Sequence, residues 1–282
     1  MSTRTWIASF LLFGAGAALS GYQQTRATGH RRSQQYEYEM QSPASEDPPD
    51  AWVEGEFTFA RLRYRGYSGG GGGRFGGRRR GGGSSWGTDS NTAERHLLQG
   101  VRRLSRINAR SVEEIIDPDS DEMFNWPWLY AVEVGHWELT DSQAKRVRMY
   151  LDRGGFLMVD DFHGEYEWDV FMASLRRVFP DQLPMEIPDS DPIFHVIFDL
   201  EKRIQVPGYQ YVRSGRTYER TDGTQAHWRG IFDDKGRVQV AICHNVDLGD
   251  AWEWSDAPEY PEPFAGMAYR IGLNYITYAM TH

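Results

Sequence analysis

Three short segments place carboxylates and imidazoles directly behind apolar runs: Val134 to His136, Val159 to Gly164 and Cys243 to Asp247. Carboxylates with imidazoles are the donor set of a divalent-metal site, and equally of acid–base catalysis. The candidate catalytic residues are therefore His136, Asp160, Asp161, His163 and His244. The candidate metal ligands are His136, Asp161, His163, His244 and Asp247. Their shared feature is position at the end of a strand-like run, since no His-Glu-x-x-His spacing is present. A divalent metal is the one cofactor these residue types suggest. Structural roles compete at each position. Asp160 also suits a cap of the helix beginning near Asp169, and His136 a hydrogen-bonded loop position. In an extended chain, adjacent Asp160 and Asp161 point to opposite faces, so at most one should face a shared site. Cys243, the single cysteine, lies inside the apolar run Val238–Cys243 and reads as a small core hydrophobe rather than a nucleophile.

The elements that must position these residues follow from periodicity. Glu56 to Tyr64 alternates apolar and polar residues, as a strand does. Asn91 with Glu94 has the form of a capping box, and Leu97, Leu98, Val101 and Leu104 repeat behind it at helical spacing. Val112–Ile116 and Trp128–Val134 are the next strands. Thr140 to Gly154 is a capped amphipathic helix ending at glycine. Phe156–Asp160 is apolar without alternation, like a buried parallel strand, and Asp169–Phe179 is a further helix. Strand and helix thus alternate from Phe57 to Phe179, which predicts an α/β fold with a mostly parallel sheet covered on both faces. Ligands of such sheets bind outside the strands' carboxyl ends, where the three segments lie. Beyond Phe179, Ile204–Tyr211 and His227–Phe232 read as strands. Asp233 to Gly236 forms a hairpin turn into Arg237–Cys243, and Met267–Met280 closes the chain as an apolar helix.

Residues 1–20 have a basic Arg4, an uncharged apolar run and small residues at Ala18 and Ser20, the parts of a secretory signal peptide. Cleavage before Gly21 makes an exported chain, periplasmic or secreted; an uncleaved run makes an N-terminal membrane anchor. Residues 21–51 are polar and read as a disordered linker, leaving 52–282 as one α/β domain. Within it, residues 66–87 are a Gly/Arg-rich loop. It resembles RNA-contacting Arg-Gly segments, or is a plain surface insertion. A net charge of −9 argues against general nucleic-acid binding. No later stretch is apolar enough to span a membrane. The acidic, aromatic stretch Asp247 to Glu262 suits calcium, a sugar face, or a charge complement to Arg74, Arg78, Arg79 and Arg80.

Several short motifs in order resemble one bacterial family, the domain of unknown function 4159. They are Trp86 to Asp89, Gly135-His136, Gly154 to Asp161, Trp228 to Ile231, Asp247 to Glu253 and Arg270 to Ala279. The resemblance covers about Val53 to His282. It implies a flavodoxin-like α/β sandwich similar to class I glutamine amidotransferases, to which the hairpin read at Asp233 to Gly236 adds a C-terminal extension. Those enzymes carry a Cys at a sharp strand-to-helix turn, where this chain has Asp160-Asp161-Phe162, so thiol-dependent glutamine hydrolysis is disfavoured. Asp191 stands where family members commonly have His. The expectation is a non-catalytic binding or assembly domain of the cell envelope, with an unknown envelope protein or small ligand as partner. The alternative is a metal-assisted hydrolase built on the Asp/His cluster.

Overall fold

A computed structural model describes residues 36, 39–40, 46–66 and 85–282. The proposed signal peptide, most of the linker and residues 67–84 of the Gly/Arg-rich loop lie outside the described residues. All elements named below belong to the compact unit Glu39–His282.

The strands are β1 (Ala60–Leu62), β2 (Arg65–Gly66), β3 (Glu114–Ile116), β4 (Trp128–Val132), β5 (Trp137–Glu138), β6 (Phe156–Asp160), β7 (Met185–Glu186), β8 (His227–Phe232) and β9 (Val238–His244). The helices are α1 (Thr92–Leu104), α2 (Asp141–Asp152), α3 (Gly164–Val178), the single turn α4 (Tyr211–Ser214), α5 (Leu248–Glu253) and α6 (Glu262–Thr281). One seven-stranded sheet runs in the order β3-β1-β4-β6-β9-β8-β7. Its first five strands are parallel, and β8 and β7 add antiparallel to one edge. The α/β class and the mostly parallel sheet follow from the strand–helix alternation. The β8–β9 pair is part of this sheet, with β9 parallel to β6 in its interior, rather than an extension from it.

The core shows why these residues form these elements. Trp128, Tyr130, Phe156, Met158 and Cys243 bury one sheet face in a cluster with Leu97 and Val101 of α1, Trp252 of α5 and Ile271 and Tyr275 of α6. The alternating Leu129, Ala131, Leu157 and Val159 are equally buried, so both faces are covered. Helices α2 and α3 pack together outside that cluster. Helix α2 starts at a true capping box, with Thr140 and Gln143 exchanging side-chain-to-backbone bonds.

Three expectations are corrected. Asn91 does not cap α1: its side chain donates to Glu113, and Glu94 is drawn instead to the buried Arg61. Helix α3 begins at Gly164, five residues before Asp169, because Asn245, Asp222 and Glu167 accept its first N–H groups. Residues 204–211 form no strand; they carry Gln205, Gly208 and Tyr209 across the strand ends, where side chains and the turn α4 take their hydrogen bonds. Residues ahead of Trp52 also pack against α1. Asp47 and Asp50 pair with Arg95 and Arg102 of α1, and Ala51 is fully buried.

Candidate functional site

Each parallel strand of the sheet's centre hands the chain to a sharp turn at its carboxyl end. Among the described residues, the non-glycine positions with left-handed backbone are Asp89 (φ 60°), Glu133 (φ 47°), Asp161 (φ 54°) and Asn245 (φ 62°). Glu133 follows β4, Asp161 follows β6, Asn245 follows β9, and Asp89 precedes α1. Asp and Asn tolerate this region better than most residues, yet each such position costs on the order of 1 kcal/mol or more. Strain of this kind concentrates where a side chain must be aimed. Here two of the four, Asp89 and Asp161, bring carboxylates into one cluster.

At Asp161 the left-handed turn breaks the alternation expected of an extended chain. Asp160 keeps the strand direction, and its Oδ2 accepts from the Tyr130 hydroxyl (3.1 Å) and from the Leu248 and Gly249 N–H groups (2.8 and 3.0 Å). It therefore caps α5, a helix more than eighty residues later, and not the helix that follows it. Asp161 turns toward His163, whose Nε2 lies 3.0 Å from Asp161 Oδ1 and 4.0 Å from Glu219. Asp247 caps α5 by accepting from Asp250 N at 2.7 Å.

These groups form three overlapping sets in which one ligand atom from each residue lies within 4.8 Å of the others. The sets are Asp161, His163 and Glu219; Asp89, Asp161 and Asp247; and Asp89, Asp250 and Glu253. Asp161 joins the first two and Asp89 the last two. Two glycines permit the crowding. A Cβ on Gly208 would stand 2.5 Å from Asp247 Oδ2 and 2.8 Å from Asp250 Oδ2, and one on Gly249 would strike Asp89.

Burial and mutual repulsion dominate the electrostatics. Burial, then the charges of Asp250 and Asp161, lifts Asp89 well above the usual carboxylate range. Burial with Glu133 and Glu219 does the same to Asp161, and burial with Asp161 and Asp250 to Asp247. Burial also raises Asp160 to about 7, against its three hydrogen bonds, and Glu253 to about 7 with help from Asp250. A bound cation would reverse these shifts by favouring the charged forms. The donor set is oxygen-rich with one imidazole, which suits Ca²⁺, Mg²⁺ or Mn²⁺ better than a thiolate-seeking metal.

The other candidates stand apart. His136 is half-exposed, 3.4 Å from Glu133, and belongs to none of the three sets. His244 bonds the Gly164 carbonyl at 3.2 Å and lies on Phe162 and Trp168. Burial pushes it down to about 3, so it is a neutral packed ring. Cys243 is fully buried, and burial holds its thiol well above the usual range. Trp252 is a core residue, Tyr260 donates to the Pro207 carbonyl, and only Trp254 of that aromatic stretch reaches the rim, stacked on Tyr209. Asp89 and Glu219 were not foreseen as site residues, and Asp250 and Glu253 entered only as members of the acidic stretch suited to calcium. Asp89 closes the Trp86 to Asp89 motif, and Glu219 lies in no segment that the sequence singles out.

A protein-family model, "Domain of unknown function (DUF4159)", matches residues 58–280. The chain belongs to this family. Its matched span runs from the residue before Phe59 to the last turn of α6, so Asp89, Asp161, His163, Glu219 and Asp247 all fall inside it. No curated protein matches the chain. No helix among the described residues is long and apolar enough to cross a membrane.

Proposed function

We propose that this carboxylate cluster holds divalent cations, and that the chain is a cation-dependent binding protein of the cell envelope on an amidotransferase-like scaffold. One observation carries the reading: three ligand sets joined through the shared Asp161 and Asp89. Shared carboxylates are how adjacent cations are bridged, and six buried or half-buried acids have little other means of staying charged. Export rests on the signal-like residues 1–20, and absence of a thiol mechanism on the buried Cys243.

The test is titration of the full chain with Mn²⁺, Ca²⁺ and Mg²⁺, followed by calorimetry and thermal unfolding. A cation at about 100 times its Kd should add roughly 2.7 kcal/mol of stability. Asp161→Asn and Asp247→Asn should abolish the effect. An effect that survives both substitutions, or no effect with any cation, overturns the proposal.

Metal-assisted hydrolysis is the second reading, favoured by the hydrogen bond that orients His163 against Asp161. Cation-dependent cleavage of a p-nitrophenyl ester, lost in His163→Gln, would support it; a cation-loaded chain with no such activity would favour binding alone.

A further inference from the structure

We infer that the ligand taken at this site is a neutral, hydroxyl-rich molecule, a sugar, and not a phosphorylated one; this rests on the cation-site reading above. Parallel sheets of this kind commonly offer helix N-termini at the strand carboxyl ends to anionic groups. Here the chain's own side chains fill them. In α3, the N–H groups of His163, Gly164 and Glu165 go to Glu167, Asn245 and Asp222. In α5, Leu248 and Gly249 go to Asp160, and Asp250 goes to Asp247.

Two cationic side chains near the cluster are committed as well. Arg61 is clasped by Glu94 and the carbonyls of Trp86 and Thr88, and Arg220 pairs with Glu167 at 2.7 Å. Against them stand Asp89, Asp160, Asp161, Glu219, Asp247, Asp250 and Glu253, whose formal charge one or two divalent cations do not cancel. A phosphate dianion therefore meets repulsion here and no donor shaped for it.

Hydroxyl groups meet the opposite. Each can donate to a carboxylate while its oxygen approaches a cation. Two buried polar atoms on residues of the cluster and its border lack a hydrogen-bond partner, His163 Nδ1 and Asp160 Oδ1, on side chains 5% and 0% exposed. At the rim, Tyr209 donates its N–H to Asp250 at 2.6 Å and stacks on Trp254 with ring centroids 4.1 Å apart. Both rings are partly exposed, giving an aromatic surface of the kind that sugar C–H faces cover.

The experiment uses the full chain loaded with Mn²⁺ or Ca²⁺, titrated calorimetrically with glucose, galactose, mannose and N-acetylglucosamine. The 6-phosphate of each and inorganic phosphate are titrated alongside. At least one neutral sugar should bind, binding should vanish with chelator, and its 6-phosphate should bind about tenfold weaker or worse, a difference of about 1.4 kcal/mol. Tyr209→Ala, which keeps the backbone N–H to Asp250, should weaken the sugar severalfold while leaving cation affinity unchanged. Phosphorylated sugars binding as well as the parents, or cation binding with no response to any neutral sugar, overturns the inference. Failure of the cation itself to bind instead strikes the cation-site reading.

Discussion

Asp161 shows what a single residue contributes and costs. Burial and four neighbouring acids destabilise its charged form, and its backbone sits in a strained turn. Asp161→Asn should therefore stabilise the cation-free protein at pH 8 by about 0.5–2 kcal/mol in urea unfolding, while removing its response to cations. A substitution that destabilised the cation-free chain would show that Asp161 is structural. Cys243 makes a complementary case. With its thiol buried in β9 and held in its neutral form, it should react with a chromogenic disulfide reagent only at the rate of unfolding. Fast labelling of the native chain would reopen a nucleophilic role. The sequence showed Asp161, His163 and Asp247 as candidates because residue type alone marks them. It could not separate them from His136 and His244, whose distinction is one of direction: toward Glu133 and toward the Gly164 carbonyl.

At the scale of elements, the site depends on a clasp between β1 and α1. Arg61 emerges from the middle of β1, fully buried, and is held by Glu94 while its Nη1 donates to the carbonyls of Trp86 and Thr88 (3.0 and 2.8 Å). Those carbonyls belong to the turn that delivers Asp89. Removing Arg61 alone leaves Glu94 buried without its cation, so Arg61→Met should cost about 3–5 kcal/mol. The double variant Arg61→Met with Glu94→Leu should recover much of that loss in urea unfolding, yet still weaken cation binding by loosening the turn. Equal costs for the single and double variants would deny the coupling. The alternation of Glu56 to Tyr64 predicted a strand here, but not that a charge would be buried in it. Periodicity likewise found β4, β6, α2 and β9 closely. It failed at residues 204–211 and at the start of α3, where side chains from distant segments replace the local hydrogen bonds that periodicity presumes.

For the whole molecule, the cluster should set the dependence of stability on pH. Asp160 and Glu253 rise from ordinary values of 3.8 and 4.5 to about 7, so the folded chain holds protons that the unfolded chain releases. Their contribution is full below the unfolded values and is lost as pH rises through about 7. His244 works the other way, lowered from 6.5 to about 3, and its penalty arises only as pH falls below 6.5. Above pH of about 6.5 the buried carboxylates and His195, whose imidazole the Asp199 hydrogen bond holds above its ordinary value, all favour the folded chain less as pH rises, so the melting temperature of the cation-free chain should fall. A saturating cation should flatten or reverse that slope, since it stabilises the ionised forms; the same slope with and without cation would count against the site. The amino-acid order by itself determined the α/β class, the parallel sheet and the carboxyl-end location, because each is written in local periodicity and in the run of apolar residues. Only the tertiary structure decided which acids meet. Asp89, Asp161, Glu219 and Asp250 come from four separate segments, and what brings them together is the strand order of the sheet and the left-handed turns at its ends, neither of which any local pattern encodes.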